Sequence, residues 1–488
     1  MNSANENMSL PSVLQTNAVD ENQSSRVESV IQEANNHSFV EGLNGFGKSK
    51  FVLAKKGTAL APNGALLWKV VWNAYADGTN RFCSFVRTCG GINAIENCRL
   101  YMGGKLISET RKVGQKINLE NRFVPYDAQA EILDQKLYSN NQYFYHGTGL
   151  LQLADDPKHN TTGFRTPTNL SSATTECSVK IDQLFPVLKD TMLPSSLSSD
   201  IIIEIDWNGR WNEVMVESGA TAFTDTQRVF SVERPRLHLD YISFADEVAN
   251  ALNQTIMSPT GMTIPYRQQV LITSQLPAIV GDDTRQSQDV ELGFAGRSVM
   301  KIYVQKLLSG VVNPLLLQSY STGLLQEELQ LVVNNRNLYD REVNKVSEMY
   351  SYLGQTASAP AYLLPSTYNQ VGQLLTANLN QLNDNVVLPQ FNATNTATTG
   401  VQANYQGRQR WLGINLAKVR GDNNDTPQNA IQVGQAPMVL RITRNSGSGG
   451  TDEPTNTAET KAPCFLHIWV ECVRALVLRN GVVDTINI

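Results

Sequence analysis

Short runs in which every second residue is apolar recur along most of this chain, and they restrict the fold more than any motif does. Cys177-Ser178-Val179-Lys180-Ile181 and Leu237-His238-Leu239-Asp240-Tyr241-Ile242 alternate strictly. Ile201-Ile202-Ile203-Glu204-Ile205-Asp206-Trp207 keeps an apolar residue at each second position. Successive side chains of a strand point to opposite faces, so such runs place one face on a core and the other towards water. Similar runs occur at 67–72, 299–304, 329–333, 412–416, 439–443 and 465–478. Many short strands separated by Gly, Pro and Asn turns predict an all-β chain of sandwiches or barrels, with only a few short helices. Polarity agrees, because charged residues make up 17% of the 488, against roughly 25% in globular proteins. Asn, Gln, Ser and Thr supply the rest, which suits strands and solvated loops.

One parallel within the chain implies duplication. Cys98-Arg99-Leu100-Tyr101-Met102 meets a Gly103-Gly104 turn, then Lys105-Leu106-Ile107, then a helical pattern with Tyr126, Ala130, Leu133 and Leu137 on one face. Leu329-Gln330-Leu331-Val332-Val333 meets Asn334-Asn335, then a helical pattern with Tyr339, Val343, Val346, Tyr350 and Leu353 on one face. Gly-Gly and Asn-Asn both supply the positive φ angles of tight hairpins. The turns at 103 and 334 lie 231 residues apart, close to half the chain. A unit repeated at that distance predicts two copies of one β fold, at 45–245 and 246–488, behind an N-terminal arm at 1–44. Within the arm, Ser25 and Glu28 have capping-box spacing, and Val27, Val30, Ile31 and Ala34 fall on one helical face. A short docking helix and a disordered tail are both open readings there, in either case outside the folded core. Three polar insertions, 155–176, 392–406 and 445–461, read as long surface loops.

Composition narrows the class of function. The formal charge of −5 weighs against coating nucleic acid, which needs clustered Lys and Arg. Residues 1–20 lack the basic start and apolar core of a signal peptide, so synthesis and assembly inside a cell are expected. The longest nearly apolar stretch, 307–317, is too short to span a bilayer. Cys83, Cys89, Cys98, Cys177, Cys464 and Cys472 show no CxxC pair or zinc spacing and read as reduced core thiols.

No set of residues converges on chemistry. Gly42-Leu43-Asn44-Gly45-Phe46-Gly47-Lys48-Ser49 fits the phosphate-binding pattern GxxxxGK[ST]. That chemistry needs a buried strand before the loop and a helix after it. Here polar residues precede it, 50–54 reads as a strand, and the partner acid Asp206 follows an alternating strand. His37, His146, His159, His238 and His467 have no ligand spacing and read as structural. Asp155-Asp156 and Asp282-Asp283 lack calcium-loop spacing, and Gly447-Ser448-Gly449 is low-complexity sequence, not a nucleophile elbow. Arg420-Gly421-Asp422 could meet an adhesion receptor, although chance explains three residues better, and Trp68/Trp72 and Trp207/Trp211 could form a sugar platform, although such pairs are more often core or subunit-interface packing. The expectation is no catalytic, cofactor or metal site, and no enzyme.

In order along 45–488, the strand series resembles the double jelly-roll major capsid proteins of icosahedral double-stranded DNA viruses, of the polinton-like virus and virophage kind. Leu184-Phe185-Pro186-Val187-Leu188, Leu193-Pro194 and 201–207 are similar to late strands of the family's first jelly roll. Arg236 to Ile242 resembles the strand leading into the second. Phe294-Ala295-Gly296-Arg297-Ser298-Val299 and Val473-Arg474-Ala475-Leu476-Val477-Leu478-Arg479-Asn480-Gly481 resemble a second-domain segment and the terminal strand. The resemblance implies two jelly-roll sandwiches side by side, a homotrimer forming a pseudo-hexameric capsomer, capsomer–capsomer contacts, and penton and minor capsid partners. It implies a place in the virion shell, no cofactor, and no sequence-specific binding of nucleic acid. A receptor- or glycan-binding vertex protein is the alternative, and membrane contact is left open.

Overall fold

The computed structural model describes residues 24–72, 82–85, 90–120, 173–195, 200–218, 224–280, 285–308, 327–344, 412–418, 426–445 and 463–488, with Glu348, Tyr352 and Thr356. The first half holds β1 (Ser24–Glu33), β2 (Asn36–Val40), β3 (Asn44–Val52), β4 (Ala59–Trp72), β5 (Phe82–Phe85) and β6 (Ile95–Met102). It continues with β7 (Lys105–Arg111), β8 (Ala173–Lys180), β9 (Leu193–Pro194), β10 (Ile201–Arg210), β11 (Met215–Ser218) and β12 (Phe230–Phe244). The second half holds β13 (Met262–Leu276), β14 (Arg285–Gly293), β15 (Ser298–Leu308), β16 (Glu327–Val333) and β17 (Arg336–Asn337). It closes with β18 (Leu412–Asn415), β19 (Ile431–Gln432), β20 (Met438–Asn445), β21 (Cys464–Arg479) and β22 (Val482–Asn487). Helix α1 (Val113–Glu120) follows β7, and α2 (Asp246–Met257) joins the halves.

The same arrangement occurs twice. In the first half a sheet ordered β1-β12-β4-β8 faces one ordered β2-β3-β10-β6-β7. In the second, β13-β21-β15-β18 faces β14-β20-β16-β17. Taken in chain order, β1, β3, β4, β6, β7, β8, β10 and β12 correspond one to one with β13, β14, β15, β16, β17, β18, β20 and β21. Even the short β9, which pairs with β4, has its counterpart in β19, which pairs with β15. Each half is therefore an eight-strand jelly roll, in which successive strands switch sheets except at one place. The exceptions are the hairpins β6–β7 and β16–β17, closed by the Gly-Gly and Asn-Asn turns the sequence singles out. All four turn residues have positive φ: 59° and 77° at Gly103 and Gly104, 54° and 60° at Asn334 and Asn335. Asn is among the few side-chain-bearing residues that tolerate this region, and Asn334 Oδ1 also accepts the Gly434 N–H at 2.5 Å.

Alternation explains the cores. Ile201, Ile203, Ile205 and Trp207 of β10 face Trp68 and Val70 of β4 and Leu237, Leu239 and Tyr241 of β12, all buried. Leu329 and Leu331 of β16 and Leu440 and Ile442 of β20 likewise face Ile302, Val304, Ile468 and Val470.

Two expectations are corrected. The segment read as an arm with a short helix is strand from Ser24 onward: β1 pairs with β12 from Ser24↔Phe244 to Glu33↔Arg236, and β2 pairs with β3. Val27, Val30 and Ile31 are β-branched and fit an edge strand, and the ladder offered by the 15-residue β12 outweighs a capping box. Among the described residues, the first sandwich thus reaches back to Ser24, ahead of 45. In the second half Tyr339 and Val343 are not helical. Val343 instead bridges Leu329, and within 338–356 helix is described only at Glu348, Tyr352 and Thr356. The helical pattern at 126–137 lies outside the described residues.

Deleting residues 1–35 removes β1 and exposes the flank of β12. We expect the truncated chain to lose the cooperative unfolding of the first sandwich and to accumulate as insoluble protein, as checked by fractionation and circular dichroism; a soluble, fully folded product is the contrary result.

Candidate assembly site at the seam between the sandwiches

The two sandwiches meet where β7, an edge strand, and α1 lie against the outward face of β13 and β21. Tyr266 Oη donates to the Ile107 carbonyl at 2.9 Å, and Trp469 Nε1 donates to the Arg111 carbonyl at 3.0 Å. His467 Nδ1 is 2.9 Å from Gln115 Oε1. Arg267 clasps Asp190: Nε lies 3.0 Å from both carboxylate oxygens, Nη2 2.6 Å from Oδ1, and the backbone N–H 3.0 Å from Oδ2. Both side chains are only 6% exposed. Met262, Ile264, Tyr266, Leu476, Leu478 and Val483 of the second half pack into the core of the first. Burial pushes the Tyr266 phenol up, and raises Asp190 against the opposing pull of the Arg267 guanidinium.

These contacts fix the relative direction of the sandwiches. Going along β7, Lys105 lies near Asp484, Ile107 near Tyr266 and Arg111 near Trp469. Asp484 pairs with Val477 and Tyr266 with Arg474. The contacts therefore run from one end of β21 towards the other, and the two jelly rolls stand in the same sense. Connections 34–43, 73–94, 112–172 and 211–229 of the first, and 277–284, 309–326, 338–411 and 446–463 of the second, all leave from one end. The opposite end carries the two-residue turns and connections 53–58, 181–200, 294–297 and 416–437. The three polar insertions predicted from sequence belong to the first end, although Glu176 already lies in β8 and Asn445 in β20; their interiors lie outside the described residues. At that end a buried Lys306–Glu327 pair at 2.5 Å, 0% and 1% exposed, sits at the base of the second sandwich's connections. Arg444 Nη1 donates to the Pro277 carbonyl beside it at 2.6 Å.

The sequence motifs resolve into structure. Lys48 of the GxxxxGK[ST] match lies within β3, opposite Asp206 of β10, and is 3.2 Å from Glu204. No helix follows it. Its glycines serve close strand packing: a Cβ at Gly47 would meet Phe39 Cδ2 and Ser38 O at 2.6 Å, and one at Gly209 would meet Gly45 C at 2.5 Å. Ser49 Oγ accepts from Trp207 Nε1 at 2.7 Å and lies 2.8 Å from His37 Nδ1, while His37 Nε2 is 2.8 Å from the Val232 carbonyl. His37 thus ties the two sheets together. Trp68, Trp72, Trp207 and Trp211 are buried, with Trp68 and Trp207 rings 5.8 Å apart, so they form core and not a sugar platform. Cys98, Cys177, Cys464 and Cys472 are free and buried, and burial pushes Cys98 to about 12 and Cys472 to about 11. Cys83 lies in β5. His146, His159, Cys89, Asp282-Asp283 and Arg420-Gly421-Asp422 lie outside the described residues, the last within the connection at the short-turn end. Among the described residues, no three His, Cys, Asp or Glu side chains group as a metal site, and no helix is long and apolar enough to cross a membrane. Sequence reasoning missed the seam residues, because Arg267, Asp190 and Gln115 carry no local signal of meeting.

We expect Arg267→Met alone to cost about 3–5 kcal/mol, because it strands a buried carboxylate. Asp190→Leu with Arg267→Met should recover most of that loss. Urea unfolding midpoints check both, and equal losses in the single and double variants would contradict this account.

No family model matches the chain, and no curated protein matches it in sequence. Solved structures do. A chain of PBCV-1 VP54, a crystal structure fitted into a reconstruction of the virophage Sputnik, superposes with a TM-score of 0.55 at 11% identity, covering 97% of this chain and 99% of that one. A chain of the Sputnik virophage structure gives 0.54 at 13% identity, covering 96% and 90%. A chain of the PBCV-1 virus capsid gives 0.51 at 11%, covering 97% and 99%. Over nearly its full length, the chain shares the fold of these proteins.

Proposed function

We propose that this chain is the major capsid protein of an icosahedral double-stranded DNA virus, a structural protein with no catalytic step or cofactor. The observation that carries the reading is the duplicated jelly roll locked in parallel, with four connections of each copy leaving from one shared end. Such a unit is a building block with two similar sides and one decorated face. Shared fold with PBCV-1 and Sputnik shell structures supports it. We take the functional domains to be two jelly rolls that meet at residue 245, with the first extended back to Ser24.

Three chains would bring six sandwiches together, giving a near-sixfold outline able to tile a facet. An exposed apolar strip supports that contact. The outward side of β13 is covered within the chain by the first sandwich, whereas its counterpart on β1 leaves Val27 61% and Ile31 66% exposed. A closed threefold ring would cover this apolar strip with the second sandwich of a neighbouring copy, by heterologous contacts of the obligate kind. Penton and minor capsid proteins would be further partners, and the acidic chain would not bind the genome by sequence. The chain would be made inside the host cell and incorporated into the virion. The alternative of a receptor- or glycan-binding vertex protein loses its main support with the burial of the four Trp residues. Copy number in purified particles separates the two.

Mass photometry at nanomolar concentration should show a trimer of about 160 kDa, three times the chain mass of 53.9 kDa. Val27→Asp with Ile31→Asp should yield folded monomers. A wild-type monomer, with no trimers in particles, would remove the capsomer reading.

A further inference from the structure

The outward face of β13, β21 and β15 is polar yet closed off from water. Gln269, Gln305, Glu471 and His467 are 4%, 2%, 2% and 8% exposed. In the strand register His467 lies between Thr273 and Gln305, and Glu471 between Gln269 and Lys301. Among the described residues, both amide atoms of Gln269, Oε1 of Gln305 and Oε2 of Glu471 have no hydrogen-bond partner. Such a layer is held by packing more than by polar satisfaction, so an added charge is poorly absorbed.

We propose that the seam is an acid-sensitive coupling, in which a proton taken up by His467 loosens the second sandwich from the first. With Nδ1–H donating to Gln115 Oε1, the lone pair that would accept the proton sits on Nε2. The ring stands edge-on to Trp469, 5.8 Å between centroids at 88°, and among the described residues it has no carboxylate partner. The surrounding charges are of both signs. Lys112 comes from the α1 side, 2.6 Å from Glu96 and 3.9 Å from Glu213. Arg111 of β7 is bonded to Glu109 at 3.1 Å. Lys301 of β15 and Arg267 of β13 complete the set, with Glu471 on β21 itself and Arg267 committed to Asp190.

Burial, and then the nearby Lys112, hold the imidazole down at about 4, from an ordinary 6.5. The direction follows from linkage. Above pH 6.5 the ring is neutral whether the seam is closed or open, so docking is at full strength. Between 6.5 and about 4 the opened form takes up a proton that the closed form refuses, so docking weakens as pH falls. Below about 4 both forms carry it and the loss levels off. A shift of that size weakens the closed form by up to roughly a few hundredfold.

Pulsed hydrogen–deuterium exchange on the full chain tests this. Protein is held at pH values from 7.5 to 4.5 and labelled briefly at one common pH. Residues 105–120, 262–276 and 464–479 should lose protection together as the holding pH falls through about 6 to 5. His467→Gln, which keeps a neutral donor to Gln115, should stay protected over that range. Lys112→Gln, which removes the nearest repelling cation, should move the loss to a different pH from wild type and serves if His467→Gln folds poorly. Loss of protection at the same pH in wild type and both variants, or loss that begins in the interior strands β10 and β20, overturns the proposal.

Discussion

A guanidinium and a carboxylate, both taken out of water where two sandwiches meet, set the relation on which the rest of the structure depends. Removing either ion from water is costly, and the pair is tolerated only because Arg267 meets Asp190 with two side-chain nitrogens and a backbone N–H. That geometry is directional, so it fixes rotation as well as proximity. The hydrogen bonds beside it solve a second problem. As an edge strand, β7 would leave carbonyls facing outward, and Tyr266 and Trp469 reach across to bond those of Ile107 and Arg111. One jelly roll thus finishes the edge of the other, and the two act as one body.

Most of the fold was legible in the sequence because strand alternation is a local signal. The runs at 201–207, 237–242 and 465–478 became β10, β12 and β21, and the paired turns at 103 and 334 marked equivalent hairpins in both halves. The first strand was illegible for a physical reason. Val27, Val30, Ile31 and Ala34 satisfy a helical face and a strand equally, and the choice is made by β12, more than two hundred residues away. The seam was equally hidden. Asp190 sits in a short helical turn and Arg267 in a strand, so only the tertiary fold brings them together. The phosphate-loop pattern shows the converse error, since glycines required where β2, β3 and β10 approach closely spell the same letters as glycines that cradle a phosphate.

The copies have diverged where the shared framework permits. The first adds β2 beside β3 and the small β5–β11 pair, whereas the second adds β22 beyond β21. Gly-Gly in one hairpin stands where the other has Asn-Asn, which holds the same positive-φ backbone and adds a side-chain contact to Gly434. The strand order itself is unchanged, since altering it would require re-pairing both sheets at once.

The sorting of connections gathers eight of them at one end and leaves both two-residue hairpin turns at the other. Lengthening an already long connection adds little closure entropy, because that cost grows only logarithmically with length. Insertions between β7 and β8, or between β20 and β21, lie away from the strand pairings that build the cores. At the other end a single added residue in a two-residue turn would slip the register of a hairpin and turn its core residues outward. New peptide sequence, whether acquired by drift or grafted for display, therefore finds most of its places at the end from which eight connections leave.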